Sequence, residues 1–183
     1  MVDSLKGKLL VASPAIQDPD FRRTVVLVAA HAEEGAMGVV LNREAGVAVI
    51  DAVPDLSVFA DPDESVWVGG PVAADGVVVL AEWDEPAEAA AVVLGDIGFL
   101  PADLTDFERL SGHTRRARVY AGHAGWGPGQ LEAEMEEDSW IVTEPDREDV
   151  FTDEPDGLWA EVLRRLGREY ALVATMPEDP SLN

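Results

Sequence analysis

Short β-branched apolar runs, each cut off by glycine, proline or acidic residues before reaching helix length, constrain this fold more than any other feature. GKLLVAS (7–13) and TVVLVAA (24–30) are the first two. Runs of this length between turn formers read as strands. Between them PAIQDPDFRR carries two prolines and reads as a loop. HAEEGAMGVVLN (31–42) predicts a turn and a third strand, with Gly35 and Gly38 bracketing Met37. The acidic stretch that follows predicts a short helix near residues 47–53 and a loop at Asp61-Pro62-Asp63. SVWVGGPVAADGVVVLAEW (65–83) reads as strand, tight turn at Gly69-Gly70-Pro71, and strand. Residues 89–100 add a strand with a turn at Gly95-Asp96, and RARVYAG, SWIVTE and ALVATM read as three more.

Helical signals are fewer. PADLTDFERLSG (101–112) spaces Leu104, Phe107 and Leu110 on one face and stops at Gly112. GQLEAEMEED places Leu131 and Met135 four apart. Residues 154–170 form the longest periodic segment, with Leu158, Val162 and Leu166 in a stripe, Trp159 and Leu163 widening it, and Gly167 as a stop. Strands outnumber helices and do not alternate with them. The expected class is therefore α+β, with a largely antiparallel or mixed sheet in a single domain spanning 1–183.

Composition narrows function mainly by exclusion. Hydrophobic residues make up 47% of the 183, enough for a sizeable core, and there is no cysteine, which removes disulfides, thiolate nucleophiles and thiolate metal sites. The N-terminal stretch has too short an apolar run for a secretory leader, and no segment approaches membrane-spanning length. The expectation is a cytoplasmic protein without membrane contact. Net charge is −23, from 13 basic and 36 acidic residues. Residues 51–110 carry one basic and 14 acidic groups, and 132–157 carry one and 12. Between these blocks, 111–131 hold Arg115, Arg116 and Arg118 and no acid. Three arginines in such a field are few for phosphate neutralisation, so direct nucleic-acid binding is disfavoured.

The most elaborate local motif is YAGHAGWGPGQL (120–131), with four glycines between the arginine run and an acidic segment. Strand, glycines and helix come in the order of a phosphate cradle, but the spacing fits neither common glycine-rich pattern. Pro128 removes a backbone donor, and Glu132, Glu134, Glu136 and Glu137 would repel a phosphate. A packing turn around Trp126 fits better. His31, His113 and His123 are the only histidines, and none lies in a metal-binding spacing; no metal and no cofactor is expected. Ser13 has no G-x-S-x-G context, so no catalytic residue is nominated. Asn42-Arg43 ends an apolar strand, where an amide and a guanidinium could face a groove or simply close a turn.

Several blocks together carry more than any one alone. GKLLVASPAIQDPDFRRTVVLVAAH, GAMGVVLNR, VWVGGPV, and YAGHAGWGPGQLEAEM followed by SWIV resemble the successive signature blocks of the YqgE/AlgH family, in that family's order and spacing, from Gly7 to about Val142. The unusually acidic middle is a departure. The resemblance implies a bacterial cytosolic protein with an α+β fold whose bifurcated sheet curls into a pseudo-barrel. The family is labelled one of transcriptional regulators because one member is linked to control of exopolysaccharide production. It brings no catalytic residues and no cofactor. The expected function is a non-enzymatic regulatory or interaction protein acting through an unidentified protein or small-molecule partner. The alternative is a small-molecule-binding or hydrolytic protein using the same loops. The expected surface combines Pro14, Phe21 and Arg22 of the first loop, His31, Asn42-Arg43, the Gly69-Gly70-Pro71 turn, and His123, Trp126, Gly127 and Gln130 of the glycine-rich block. Within it, Trp126 and Arg43 are expected to serve binding more than stability.

Overall fold

A computed structural model describes residues 3–102 and 106–178. The strands are β1 (Leu9–Ala12), β2 (Val25–Ala32), β3 (Gly35–Val40), β4 (Glu44–Ala48), β5 (Ser65–Val68), β6 (Val72–Trp83), β7 (Ala91–Leu94), β8 (Ile97–Phe99), β9 (Thr114–Trp126) and β10 (Trp140–Thr143). The helices are α1 (Val49–Ala52), α2 (Phe107–Ser111), α3 (Gln130–Glu136), α4 (Arg147–Val150), α5 (Pro155–Arg165) and α6 (Arg168–Val173). One sheet runs β10-β1-β2-β3-β9-β6-β8-β7, and β4 and β5 branch from it. All of its pairings are antiparallel except β5 with β9.

The long strand β9 is the hub. Its first part pairs with β6, Leu80 opposite Arg118 and Val78 opposite Tyr120. Its middle meets β5, Trp67 opposite Tyr120. Its end pairs with β3, Ala36 opposite Trp126. The sheet therefore forks along β9, as the family resemblance implies. Its outer strands β10 and β7 are not hydrogen-bonded to each other, so the sheet is not closed into a barrel.

The continuous apolar runs of β1 and β2 are explained by burial on both faces, where residues alternate between two cores. Leu9, Val11, Val25 and Leu27 join one cluster with α5 residues Leu158, Trp159, Val162 and Leu163. Leu10, Ala12, Val26 and Val28 face another with Trp126, Leu131 and Trp140. A third cluster packs Val49, Leu56 and Leu110 against the Val79, Ala81, Ala117 and Val119 faces of β6 and β9.

Three expectations change. ALVATM is not a closing strand: residues up to Val173 belong to α6, and Ala174 caps it. A short apolar run has no decisive period of its own. Here Tyr170, Val173 and Ala174, at i, i+3 and i+4, form a helical stripe against the α5 core after Gly167, at φ +122, breaks the preceding helix. The helix expected over 101–112 is described only as Phe107–Ser111, because residues 103–105 lie outside the described set. The glycine-rich block is mostly strand, since β9 continues through Trp126 and only Gly127–Gly129 turn into α3.

Candidate functional site

The expected surface residues separate into distinct places. The loop of residues 13–23 organises two of them. It is built locally: Ile16 N donates to Ser13 O at 3.1 Å, Gln17 Nε2 to Pro14 O at 2.7 Å, and Asp20 N to Asp18 Oδ1 at 2.7 Å. Ser13 Oγ accepts from Ala15 N at 3.3 Å. The residues that follow β3 clamp the loop's far end. Asn42 Oδ1 accepts from Val25 N at 3.0 Å while its Nδ2 donates to Arg23 O at 2.9 Å. Arg43 donates to Asp20 O at 2.6 Å and Arg22 O at 2.9 Å. The Asn-Arg pair thus does both things its sequence position allowed: it closes a turn and faces a groove.

That groove has two adjoining chambers. One, of ≈ 210 Å³, is lined mainly by apolar surface from Pro14, Ile16, Trp159, Met176 and Pro177, with Arg22 and Arg23 at its edge. The other, of ≈ 220 Å³, is polar and holds Arg22, Arg23, Asn42 and Arg43, with Asp156 and Glu178 also in its wall. Arg22, Arg23, Trp159 and Glu178 are common to both. Trp159 forms the floor: it is buried, its Nε1 donates to Ala12 O at 2.8 Å, and Arg23 lies 4.6 Å over its ring. Arg23 has φ +55 and donates to Met176 O, which ties the C-terminal segment to the loop. Among the described residues, none of Arg22, Arg23 and Arg43 has a carboxylate oxygen within ion-pair distance. Burial lowers the pKa of the Arg43 guanidinium from its ordinary value, and the charge of Arg22 pushes the same way.

Phe21 turns away from this cleft. Its ring sits 6.2 Å from Trp126 and 5.8 Å from Trp140, and the two tryptophans meet edge-to-face at 5.9 Å. Both indole N–H groups donate to one carboxylate oxygen of Glu134, at 2.9 and 2.8 Å. Gln130 donates to the other oxygen and accepts from Gly127 N. Trp126 is only 6% exposed. It is a core residue, contrary to the surface role expected of it, because β9 extends further than its glycines suggested.

The histidines stand apart. His31 Nδ1 accepts from Leu5 N at 3.0 Å, so Nε2 carries the proton that reaches Glu132 at 2.7 Å, and the ring ties the N-terminal segment to α3. His113 meets Glu88 at 2.5 Å, and His123 lies on β9 opposite Val72. Among the described residues there is no group of three or more His, Asp and Glu placed to hold a metal ion. The Gly69-Gly70-Pro71 turn is stitched to β9, with Gly69 N donating to Ala121 O at 2.9 Å, and to β3, with Gly69 O accepting from Val40 N at 2.9 Å.

The arginine run of β9 is engaged inside the molecule. Glu82, buried between strands, accepts from Arg116 at 2.8 Å and Arg147 at 2.6 Å, with Arg115 at 3.2 Å. Asp96 pairs with Arg147 at 2.6 Å and with Arg115, and Glu148 with Arg116 at 2.9 Å. Arg118 is buried, stacks 4.0 Å over Trp67 and donates to the carbonyls of Val150 and Thr152. Beside it the Tyr120 hydroxyl is fully buried without a hydrogen-bond partner among the described residues, and desolvation pushes its pKa up to about 12.

The hydrogen bond from Arg147 holds the Asp96 carboxyl below its ordinary 3.8. A depressed folded-state pKa means the unfolded chain binds protons first. This contribution is therefore present above the ordinary value and lost as pH falls through the folded one. Thermal unfolding of wild type and Arg147→Gln should differ most near neutrality, the difference closing below about pH 4. A difference that does not shrink as pH falls below about 4 would show that Arg147 acts by packing.

Sequence comparison places these features. A family model described as DUF179, AlgH-like, matches residues 9–171. A UPF0301 protein of Streptomyces avermitilis is 46% identical over 188 residues, covering 100% of this chain and 97% of the relative. One of Chlorobaculum tepidum is 39% identical, covering 97% and 95%. A crystal structure of a Corynebacterium diphtheriae protein superposes with TM-score 0.84 at 28% identity, over 93% of this chain and 91% of that one. The solution structure of the AlgH protein from Pseudomonas aeruginosa gives 0.74, also at 28%, over 97% and 96%. Matched along nearly its whole length by sequence and by fold, the chain belongs to the AlgH-like family, as its signature blocks implied.

Proposed function

We propose that this protein is a non-enzymatic regulatory protein of the bacterial cytoplasm, acting by binding a partner or ligand in the cleft between the residue 13–23 loop and α5. One observation carries the reading. In a chain with 36 acidic and 13 basic residues, most positive groups find carboxylates easily, as those of β9 do. Arg22, Arg23 and Arg43 share one concavity and none has such a partner among the described residues. Like charges held together, one of them partly desolvated, leave an electrostatic demand that an incoming anion can meet. Influence on transcription is then indirect: a net charge of −23 opposes DNA, and the basic strand is already paired internally.

The test is complementation. In a strain lacking the gene, wild type should restore the transcript profile, and Arg22→Ala combined with Arg43→Gln should not, at equal protein abundance. Full restoration by the double variant would remove the cleft from the function.

A further inference from the structure

We infer that the ligand of this cleft is a small amphiphilic monocarboxylate, with its head among Arg22, Arg23 and Arg43 and its apolar body over Trp159. The inference rests on the binding role proposed above and adds the chemical class. Ligand pockets usually measure about 300–1,000 Å³. Neither chamber reaches that alone, at ≈ 210 and ≈ 220 Å³, but they share a wall, so an occupant of ordinary size spans both. One end of such an occupant meets guanidinium groups, whose planar donors suit a carboxylate. The other meets Ile16, Trp159, Met176 and the two prolines, a lining that favours alkyl or aryl groups.

The surroundings set the charge of the head. Asp156 and Glu178 line the polar chamber, and Asp18 and Asp20 lie on the loop close enough to act on Arg43. These four carboxylates repel a polyanion, so nucleic acid and acidic peptide are disfavoured, while a single carboxylate can sit between the arginines at least cost. Arg23 is already held over the Trp159 ring and Arg43 is fixed by two carbonyls. Arg22 is exposed. Its backbone N–H donates to Asp18 O at 2.8 Å and its carbonyl accepts from Arg43 at 2.9 Å, while its guanidinium has no hydrogen bond or ion pair among the described residues. It is the guanidinium that can turn onto the head group.

The experiment is calorimetric titration of the full chain with octanoate, octanol, acetate and a tri-aspartate peptide. Octanoate should bind at least tenfold more tightly than octanol, which lacks the head, and than acetate, which lacks the tail. Arg22→Ala should weaken octanoate at least tenfold without changing the melting temperature, since that side chain makes no hydrogen bond or ion pair among the described residues. Equal binding of octanol or acetate overturns the inference, as does unchanged affinity in Arg22→Ala. Tighter binding of tri-aspartate also overturns it and assigns the cleft to an acidic protein segment. A failed titration alongside failed complementation by the cleft double variant rejects the ligand class while leaving the cleft's role standing.

Discussion

Trp126→Ala is expected to destabilise the protein by about 3–5 kcal/mol, the usual cost of deleting a large buried aromatic side chain. For a domain of this size that lowers the melting temperature by roughly 6–20 °C. The expectation follows from what the indole touches. It is buried against Trp140 and Phe21, packs with Val26, Val28 and Leu131, and donates to Glu134 at 2.9 Å. Truncation opens a cavity at the end of β9 and leaves Glu134 with one fewer donor. Trp126→Phe separates the two effects. It keeps most of the aromatic area but loses the bond to a charged group, about 1.5–3 kcal/mol. Chemical denaturation of both variants checks the ordering. A Trp126→Ala protein as stable as wild type would contradict burial and restore a surface role to this side chain.

Gly70→Ala should be comparably severe, for a backbone reason. Gly70 has φ +149, and a Cβ built on it would lie 2.3 Å from the carbonyl carbon and oxygen of His123 and 2.4 Å from Ala124 N. All three are main-chain atoms of the hub strand, so no side chain can swing aside. Strain from the disfavoured backbone costs about 1–3 kcal/mol, and forced separation of packed segments adds about 1–3 kcal/mol. The expected loss is therefore roughly 2–6 kcal/mol. Gly157→Ala is the control: a Cβ there meets nothing within 4 Å, and alanine on α5 should be neutral or stabilising by up to about 1 kcal/mol. Similar melting temperatures for the two variants would mean that Gly70 is not held against β9.

These two residues show where sequence reading reaches and where it stops. The apolar runs around Leu9 and Val25 announced strands because their length, branching and bounding turn formers are local properties. The stripe of α5 was equally legible, since Leu158, Val162 and Leu163 repeat with the helical period. The α6 segment was misread because six residues cannot distinguish one period from another. Trp126 was misplaced because glycine weakens a strand on average, whereas here β9 is held between partners that leave no room for a Cβ at Gly122.

By itself, the sequence determined the class of fold, the family and the exclusion of cysteine chemistry, all of which depend on composition and on patterns within a few residues. It also bounded the charge, at −23, on which the proposal of an indirect action on transcription rests. Only the tertiary structure decided which arginines are already neutralised. Arg115, Arg116 and Arg118 stood out as a basic island yet are absorbed by Glu82, Asp96, Glu148 and buried carbonyls. Arg22 and Arg43, expected on one surface, converge with Arg23 over Trp159 and have no carboxylate partner among the described residues. An ion pair forms within a few ångströms, and which carboxylate comes that close depends on strand register and helix docking between segments far apart in the chain. Charge is carried by the residue, but whether it remains available to a ligand is settled by the fold.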